Sequence, residues 1–272
     1  MTSNAGYAEV IGDPISQSKS PLIHNFWLEK LGVDGDYRAT EVGRAQLGDF
    51  VAGRRNDLAW HGCNVTMPLK LDAIMLADEA SDRAVAAGAA NLLIPKAGKL
   101  LAGNTDVGAV LQLLGPRIQQ GVRAGLTVLG NGGAARAVLV ALKMLGYAES
   151  RIQARDLSAA YKLAVEFGLD AEPVPFDHPV DTEGLVNATP LGMAGVEPFA
   201  IDIARMPASG FVFDMVTDPV ATPLLRAARE RGLAATDGIA MLVEQAAASF
   251  ILLFGSPAPR QYDGELMEAL RP

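Results

Sequence analysis

The chain has 272 residues, half of them apolar and a fifth charged, which is the composition of a folded protein with ample core and excludes a disordered one. A net charge of −8 argues against a nucleic-acid or anionic-membrane surface, yet local lysines and backbone amides can still hold a small anion. No apolar run reaches the ~18 residues of a membrane span, and Met1 to Tyr7 lacks a signal-peptide pattern, so no membrane partner and a cytoplasmic location are expected.

Tyr7 to Ile11 reads as a strand closed by Gly12, Asp13 and Pro14. Ser16, Ser18, Lys19 and Ser20 follow, and then Leu22, Ile23, Phe26, Trp27 and Leu31 recur at helical spacing. Ser20 is expected to cap this helix, with Pro21 at its first position and Gly32 closing it. Serine hydroxyls and an amine at a helix start exceed what a cap requires and suit a carboxylate or phosphate. Tyr37 to Val42 and His61 to Met67 read as further strands, with a helical segment from Arg44 to Val51 between them. The single cysteine, Cys63, excludes an internal disulfide and reads as a small buried hydrophobe. Asn64 to Lys70 is a strand that stops at Pro68 and presents the Lys70 amine. A helix is expected from there to about Ala87, a strand from Gly88 to Ile94, a tight turn at Lys96 to Lys99, and a helix from Val107 to Leu114 opened by Asn104, Thr105 and Asp106. This alternation implies a mostly parallel sheet.

A second unit opens at Gly125. Leu126 to Leu129 is a buried-type strand, followed by Gly130-Asn131-Gly132-Gly133-Ala134-Ala135 and a helix ended by Gly146; Arg151 to Ala154 is the next strand, with Arg155 and Asp156 at its tip. The G-x-G-x-x-A pattern sits between strand and helix in a βαβ unit, where glycines let backbone approach a pyrophosphate and a small third residue lets the helix pack closely. Gly184 to Asn187 and Phe211 to Asp214 are further strands, whose polar tips, Thr189 and Met215 among them, are expected to line the cofactor crevice. Thr222-Pro223 starts a helix to Arg231, Leu233 to Thr236 is a last strand, and Gly238 leads into a helix to Phe254. His24, His61 and His178 lack metal-ligand spacing, so no metal is expected. Asp78, Glu79 and Asp82 read as a solvated helix face.

Taken together, Gly12-Asp13-Pro14-Ile15, Ser18-Lys19-Ser20-Pro21, Asn64-Val65-Thr66 with Pro68 and Lys70, Asn104-Thr105-Asp106, Gly130 to Ala135, Asn187-Ala188-Thr189 with Gly192-Met193, and Met241-Leu242-Val243 with Gln245-Ala246-Ala247 resemble shikimate dehydrogenase, in the family's order and over nearly the whole chain. The resemblance implies an α/β fold of two lobes. One is a mostly parallel α/β substrate domain formed by 1–106 plus 239–272; the other is a Rossmann-type, doubly wound dinucleotide-binding domain over 107–238. It implies reversible reduction of 3-dehydroshikimate to shikimate with hydride from a nicotinamide. Lys70 and Asp106 then become the catalytic centre, and Ser18, Ser20, Thr66, Asn91, Asp106 and Gln245 contact the substrate, the serines through its carboxylate. The cofactor meets Gly130, Asn131, Gly132, Gly133, Ala134, Arg155, Met215 and Gly238, with Asp82 near the nicotinamide end.

Hydride leaving a carbinol carbon requires a proton to leave its oxygen, so a base belongs within hydrogen-bond reach. Whether Lys70 takes that proton or acts as a donor to the developing alkoxide is open from sequence. Two positions depart from the family. Thr217 stands where members often carry tyrosine, and Ala154-Arg155-Asp156 replaces the NADP-binding Asn-Arg-Thr. NADP is the family cofactor, and Arg155 can pair with its 2′-phosphate; Asp156 either accepts from a free ribose 2′-hydroxyl, which brings in NAD, or caps the following helix. An NAD-linked quinate/shikimate dehydrogenase and a catalytically silent dinucleotide-binding regulator are the alternatives. The expected partner is a small-molecule substrate, on a monomer or homodimer.

Overall fold

The computed structural model describes residues 6–170, 173–197 and 200–271; the first five residues of the Met1 to Tyr7 stretch lie outside the described residues. The chain divides into two compact units, Met1–Gly108 with Val243–Pro272, and Ala109–Leu242.

The first unit contains β1 (Gly6–Gly12), α1 (Ser20–Leu31), β2 (Gly35–Glu41), a 3-10 turn at Arg44–Gln46 leading into α2 (Leu47–Arg54), β3 (Trp60–Val65), α3 (Lys70–Ala73), β4 (Glu79–Ala80), α4 (Asp82–Ala87), β5 (Leu92–Lys96) and β6 (Lys99–Gly103). The six strands form one sheet in the order β2-β1-β3-β5-β6-β4. Pairing is parallel for β1 with β2, β1 with β3 and β4 with β6; β5 runs antiparallel to both β3 and β6. One core packs Ile11, Val65, Leu69, Leu93 and Leu100 with Trp60 and Cys63, and another packs Ala8, Val10, Tyr37, Leu92 and Leu253. Cys63 is buried and its thiol pKa is pushed well up by that burial, as a core residue's should be.

Three local expectations need correction here. The helix expected from Lys70 to Ala87 is broken: α3 ends at Ala73, a 3-10 turn covers Ile74–Leu76, and backbone hydrogen bonds from Asp78 to Leu100 and from Ser81 to Ala102 pull the segment onto the sheet edge as β4. Ser81 then caps α4 by accepting from the Ala84 amide, and Gly88 ends α4 in a left-handed conformation (φ 57°) instead of starting a strand. Ser20 is not an N-cap either. Lys19 already has helical backbone angles, so the helix opens one residue early and no side chain caps it. The hairpin partner β6 had no sequence reading; it follows the Lys96 to Lys99 turn, where Ala97 and Gly98 both have positive φ.

The chain leaves the first unit within α5 (Asp106–Gln119). The second unit holds β7 (Leu126–Leu129), α6 (Gly133–Met144), β8 (Ser150–Gln153), α7 (Leu157–Phe167), β9 (Gly184–Asn187), β10 (Phe211–Asp214), α8 (Pro223–Glu230) and β11 (Ala234–Thr236). Its strands are all parallel, in the order β11-β10-β9-β7-β8. Each of β7, β9 and β10 is buried throughout, as expected of a sheet covered on both faces. The order reverses between β7 and β9, and in doubly wound folds that reversal opens the ligand crevice at the strands' carboxyl ends. The chain returns to the first unit within α9 (Gly238–Phe254), and a 3-10 turn at Arg260–Tyr262 leads into α10 (Asp263–Leu270).

Candidate active site

In the first unit the strand directions decide which residues meet. Thr66 follows the carboxyl end of β3. Because β5 is antiparallel, Asn91, just before it, lies at that same end, with its carbonyl accepting from the Val65 amide at 2.8 Å and its amide donating to the Gly103 carbonyl at 3.0 Å. Gly103 ends β6 and delivers Asn104, Thr105 and Asp106. The Asn104 side chain ties this corner down, donating to the Ala89 carbonyl at 2.9 Å and accepting from the Val107 amide at the start of α5.

Lys70 opens α3, and its Nζ donates to Asp106 Oδ2 at 2.7 Å. Asp106 is buried, while the Lys70 side chain is 18% exposed, so the carboxylate is sealed and the lysine is partly open to solvent. The other carboxylate oxygen, Oδ1, accepts from Asn91 Nδ2 at 2.8 Å. Asn91 is itself locked: its Oδ1 accepts the Thr105 amide at 2.7 Å and its second N–H reaches Thr105 Oγ1 at 2.8 Å. The Gln245 side chain joins at longer range, with Oε1 at 3.5 Å from both Asn91 Nδ2 and Thr105 Oγ1. One amine and one carboxylate, held by buried amides, can hand a proton to a substrate oxygen or remove one while keeping the partner group oriented.

Ser18 and Ser20 stand together at the start of α1, where Ser20 donates its amide to Ser18 Oγ at a long 3.4 Å. Lys19 does not add its amine to them, because its Nζ donates to the Leu270 carbonyl at the end of α10. Thr66 is half-buried, and its methyl lies where a Cβ at Gly12 would come within 2.5 Å, so the two tips abut. The structure thus brings Lys70, Asp106, Asn91 and Gln245 into direct contact. Asp82 stands apart from that cluster as the exposed first residue of α4, where its charge suits the positive end of the helix.

In the second unit, Gly130 follows β7 with φ 101°, a conformation that disfavours any side chain, and a Cβ there would lie 2.7 Å from the Thr189 methyl. Gly132 precedes α6 in extended backbone, and Gly133 and Ala134 open the helix, so its free amides face the loop. Asn131, Gly133 and Ala134 are half-buried and Gly132 is exposed. Across the sheet's reversal point, Asn187 Oδ1 accepts from the Thr189 amide and hydroxyl, and Thr189 Oγ1 accepts from the Leu191 amide. Asp214 couples this tip to the next: it accepts from Asn187 Nδ2 at 2.9 Å, the Thr222 hydroxyl at 2.6 Å and the Val216 amide. Burial raises the Asp214 pKa, and those three donors hold part of the rise back. Met215 follows, its amide bonded to the Asn187 carbonyl, and Gly238 packs so tightly on the Met215 and Val216 carbonyls that a Cβ would come within 2.4 Å. Arg155 and Asp156 are both exposed at the tip of β8. Asp156 is the N-cap of α7, its Oδ1 accepting from the Ala159 amide at 2.9 Å. Among the described residues no cluster of His, Cys, Asp and Glu could hold a metal ion, and no helix is long and apolar enough to cross a membrane.

Residues 10–93 match the family model described as the shikimate dehydrogenase substrate binding domain. Over 97% of this chain and 96% of the relative's, the sequence is 44% identical to the shikimate dehydrogenase (NADP(+)) of Sphingopyxis alaskensis. The chain belongs to the shikimate dehydrogenase family. A second member, the shikimate dehydrogenase (NADP(+)) of Methylobacterium radiotolerans, is 42% identical over 93% of this chain and 92% of its own. The fold is also that of shikimate 5-dehydrogenase from Thermus thermophilus, solved in complex with NADP(H) and shikimate: TM-score 0.84 and 32% identity, covering 97% of this chain and 99% of that one.

Motif reading gave no role to several polar residues behind the cluster of this shikimate dehydrogenase family member, Asn64 of the quoted motif among them. Tyr37 donates to Asn64 Oδ1 at 2.8 Å, and Asn64 Nδ2 donates to Ser249 Oγ at 2.8 Å; all three are buried. Tyr37 looked like an ordinary strand residue. The one signal for Ser249 was its place four residues after Gln245, on the same helix face.

Proposed function

We propose that this protein is a shikimate dehydrogenase that catalyses the reversible NADPH-dependent reduction of 3-dehydroshikimate to shikimate, on the route to chorismate and the aromatic amino acids. The observation that carries the reading is the Lys70–Asp106 contact of 2.7 Å, buttressed by Asn91 and built from three separate strand ends. Family membership at 44% identity across the chain supplies the substrate class.

The second unit suits a nicotinamide dinucleotide: the cradle at Gly130 would be filled by a side chain, and the α6 N-terminus offers free amides for a pyrophosphate. When bound, that cofactor supplies the hydride for reduction and receives it in the reverse direction. The remaining work falls to this chain's side chains. As the carbonyl oxygen gains charge, Lys70 donates to it and Asp106 keeps the amine aimed. In the oxidation direction the same amine accepts the hydroxyl proton. Ser18 and Ser20 hold the substrate carboxylate, and Thr66, Asn91 and Gln245 hold its hydroxyls. Gly130, Asn131, Gly132, Gly133, Ala134, Arg155, Thr189, Met215 and Gly238 serve the cofactor, with Asp82 near its nicotinamide end.

Arg155 selects NADP by pairing with the 2′-phosphate. Asp156 already spends one carboxylate oxygen on its helix cap, which supports the capping role over ribose recognition. Residues 1–106 with 239–272 act as the substrate domain and 107–238 as the cofactor domain, in a cytoplasmic enzyme working as a monomer or homodimer. Absorbance at 340 nm with shikimate and quinate, each against NADP and NAD, tests the whole reading. Fast turnover of shikimate with NADP is expected; cofactor binding with no turnover of any pair would leave a silent regulator instead.

A further inference from the structure

We propose that Ser249, on α9, is a positioning residue for Asp106, acting through Thr105 and Asn91. The inference rests on the dehydrogenase reading above and extends it to a residue that touches neither Lys70 nor Asp106.

Proton direction links these residues. Ser249 has a single hydroxyl proton, and Oγ donates it to the Gln245 carbonyl one helical turn earlier at 2.9 Å. Its lone pairs are then left to accept from Asn64 Nδ2 at 2.8 Å and from Thr105 Oγ1 at 3.2 Å. The Asn64 amide is oriented to donate there because its Oδ1 already accepts from the Tyr37 hydroxyl. With its own proton turned toward Ser249, Thr105 keeps a lone pair for Asn91 Nδ2, and this leaves the second N–H of that amide for Asp106 Oδ1. Each donor in the series therefore has one short acceptor, with Gln245 Oε1 only at 3.5 Å from Thr105 and Asn91, and the last acceptor is the Asp106 carboxylate. Ser249 and Asn91 are 0% and 2% exposed, so water does not substitute for a missing link.

Removing the Ser249 hydroxyl takes away the acceptor that sets this order. The Thr105 proton then has Gln245 Oε1 as its next acceptor, 3.5 Å away on a side chain expected to bind substrate. As Thr105 Oγ1 turns toward Gln245, its alignment with Asn91 Nδ2 is disturbed, and with it the aim of the other N–H of that amide at Asp106 Oδ1.

The test compares the wild type with Ser249→Ala, Thr105→Val and the double variant, using shikimate, C3-deuterated shikimate and NADP. Ser249→Ala should lower kcat by about tenfold or more, the size of one misdirected buried hydrogen bond, and leave KM for shikimate within about threefold. The deuterium isotope effect on kcat should rise as the chemical step becomes limiting. The double variant should lose no more than the worse single one, because both break the same link. Unchanged kcat in a folded Ser249→Ala protein, or losses that multiply in the double variant, would overturn the proposal. If Ser249→Ala does not fold, Thr105→Val decides alone: retained kcat sinks the idea and a selective loss supports it. A wild type that binds NADP but does not oxidise shikimate would overturn the dehydrogenase reading and this inference with it, whereas an active wild type with an equally active Ser249→Ala defeats only the inference.

Discussion

Lys70 and Asp106 differ in exposure: the carboxylate is sealed and accepts two hydrogen bonds, whereas the lysine side chain is partly open, which suits the proposed approach of its amine to a substrate oxygen. Lys70→Ala should therefore lower kcat by about a hundredfold or more with little change in KM, since the lost contact strengthens only as charge develops on the substrate oxygen. Steady-state kinetics with shikimate and NADP checks this, and near-normal kcat would remove Lys70 from the mechanism. Arg155 is exposed at its strand tip, so its proposed pairing with the 2′-phosphate would be that of a solvated charge pair. Arg155→Ala should raise KM for NADP by about tenfold while leaving kinetics with NAD nearly unchanged. Equal effects on both cofactors would mean that Arg155 does not read the 2′-phosphate.

At the level of single elements, the loop after β7 and the packing of α1 each yield a measurement. Gly130 combines a positive φ with the Thr189 methyl where a side chain would go, so both the backbone and the space forbid a Cβ. Gly130→Ala should weaken NADP binding by about tenfold or more, a loss that fluorescence titration of NADPH would read directly. In α1, His24 is fully buried, stacked on Tyr37 with ring centroids 3.9 Å apart and edge-on to Trp27. Burial lowers its pKa from 6.5 to about 3. An unfolded chain binds this proton as pH falls through 6.5, while the native one stays neutral until near 3. Stability is thus fully present above 6.5 and is lost as the pH falls between these values, by about 2 kcal/mol at pH 5. His24→Phe should flatten the acid side of the stability curve between pH 6.5 and 4, measured as Tm against pH; an unaltered slope would assign the acid sensitivity to other groups.

Across the whole molecule, the division into two units follows where α5 and α9 lie in the chain, because each of these helices begins in one unit and ends in the other. The parallel second unit was legible in advance. Its strands β7, β9 and β10 are short, mostly apolar and buried runs leading into turn residues, and the glycine loop sits between a strand and a helix where a pyrophosphate site needs it. The first unit was less legible. A helical pattern from Lys70 to Ala87 gave way to a sheet edge because Asp78 and Ser81 found backbone partners on β6, a competition that local propensity cannot weigh. Lys19, which read as part of an anion site, instead reaches a carbonyl 251 residues away. Buried Glu9, paired with Arg54 and accepting from Thr40, was hidden within a strand that otherwise looked apolar.

Motif order along the chain was enough to single out the Lys70 amine, the Asp106 carboxylate that it meets and the glycine loop, because the proposed roles demand particular residue types at strand and helix ends. Which buried groups hold them was settled only by folding. Asn64 and Ser249 are 185 residues apart, and Thr105 and Ser249 are 144 apart; they meet because α9 returns to the first unit and sets Ser249 against the strand tips. Hydrogen-bond direction depends on such contacts between distant segments, since a buried donor takes whichever acceptor packing brings within reach.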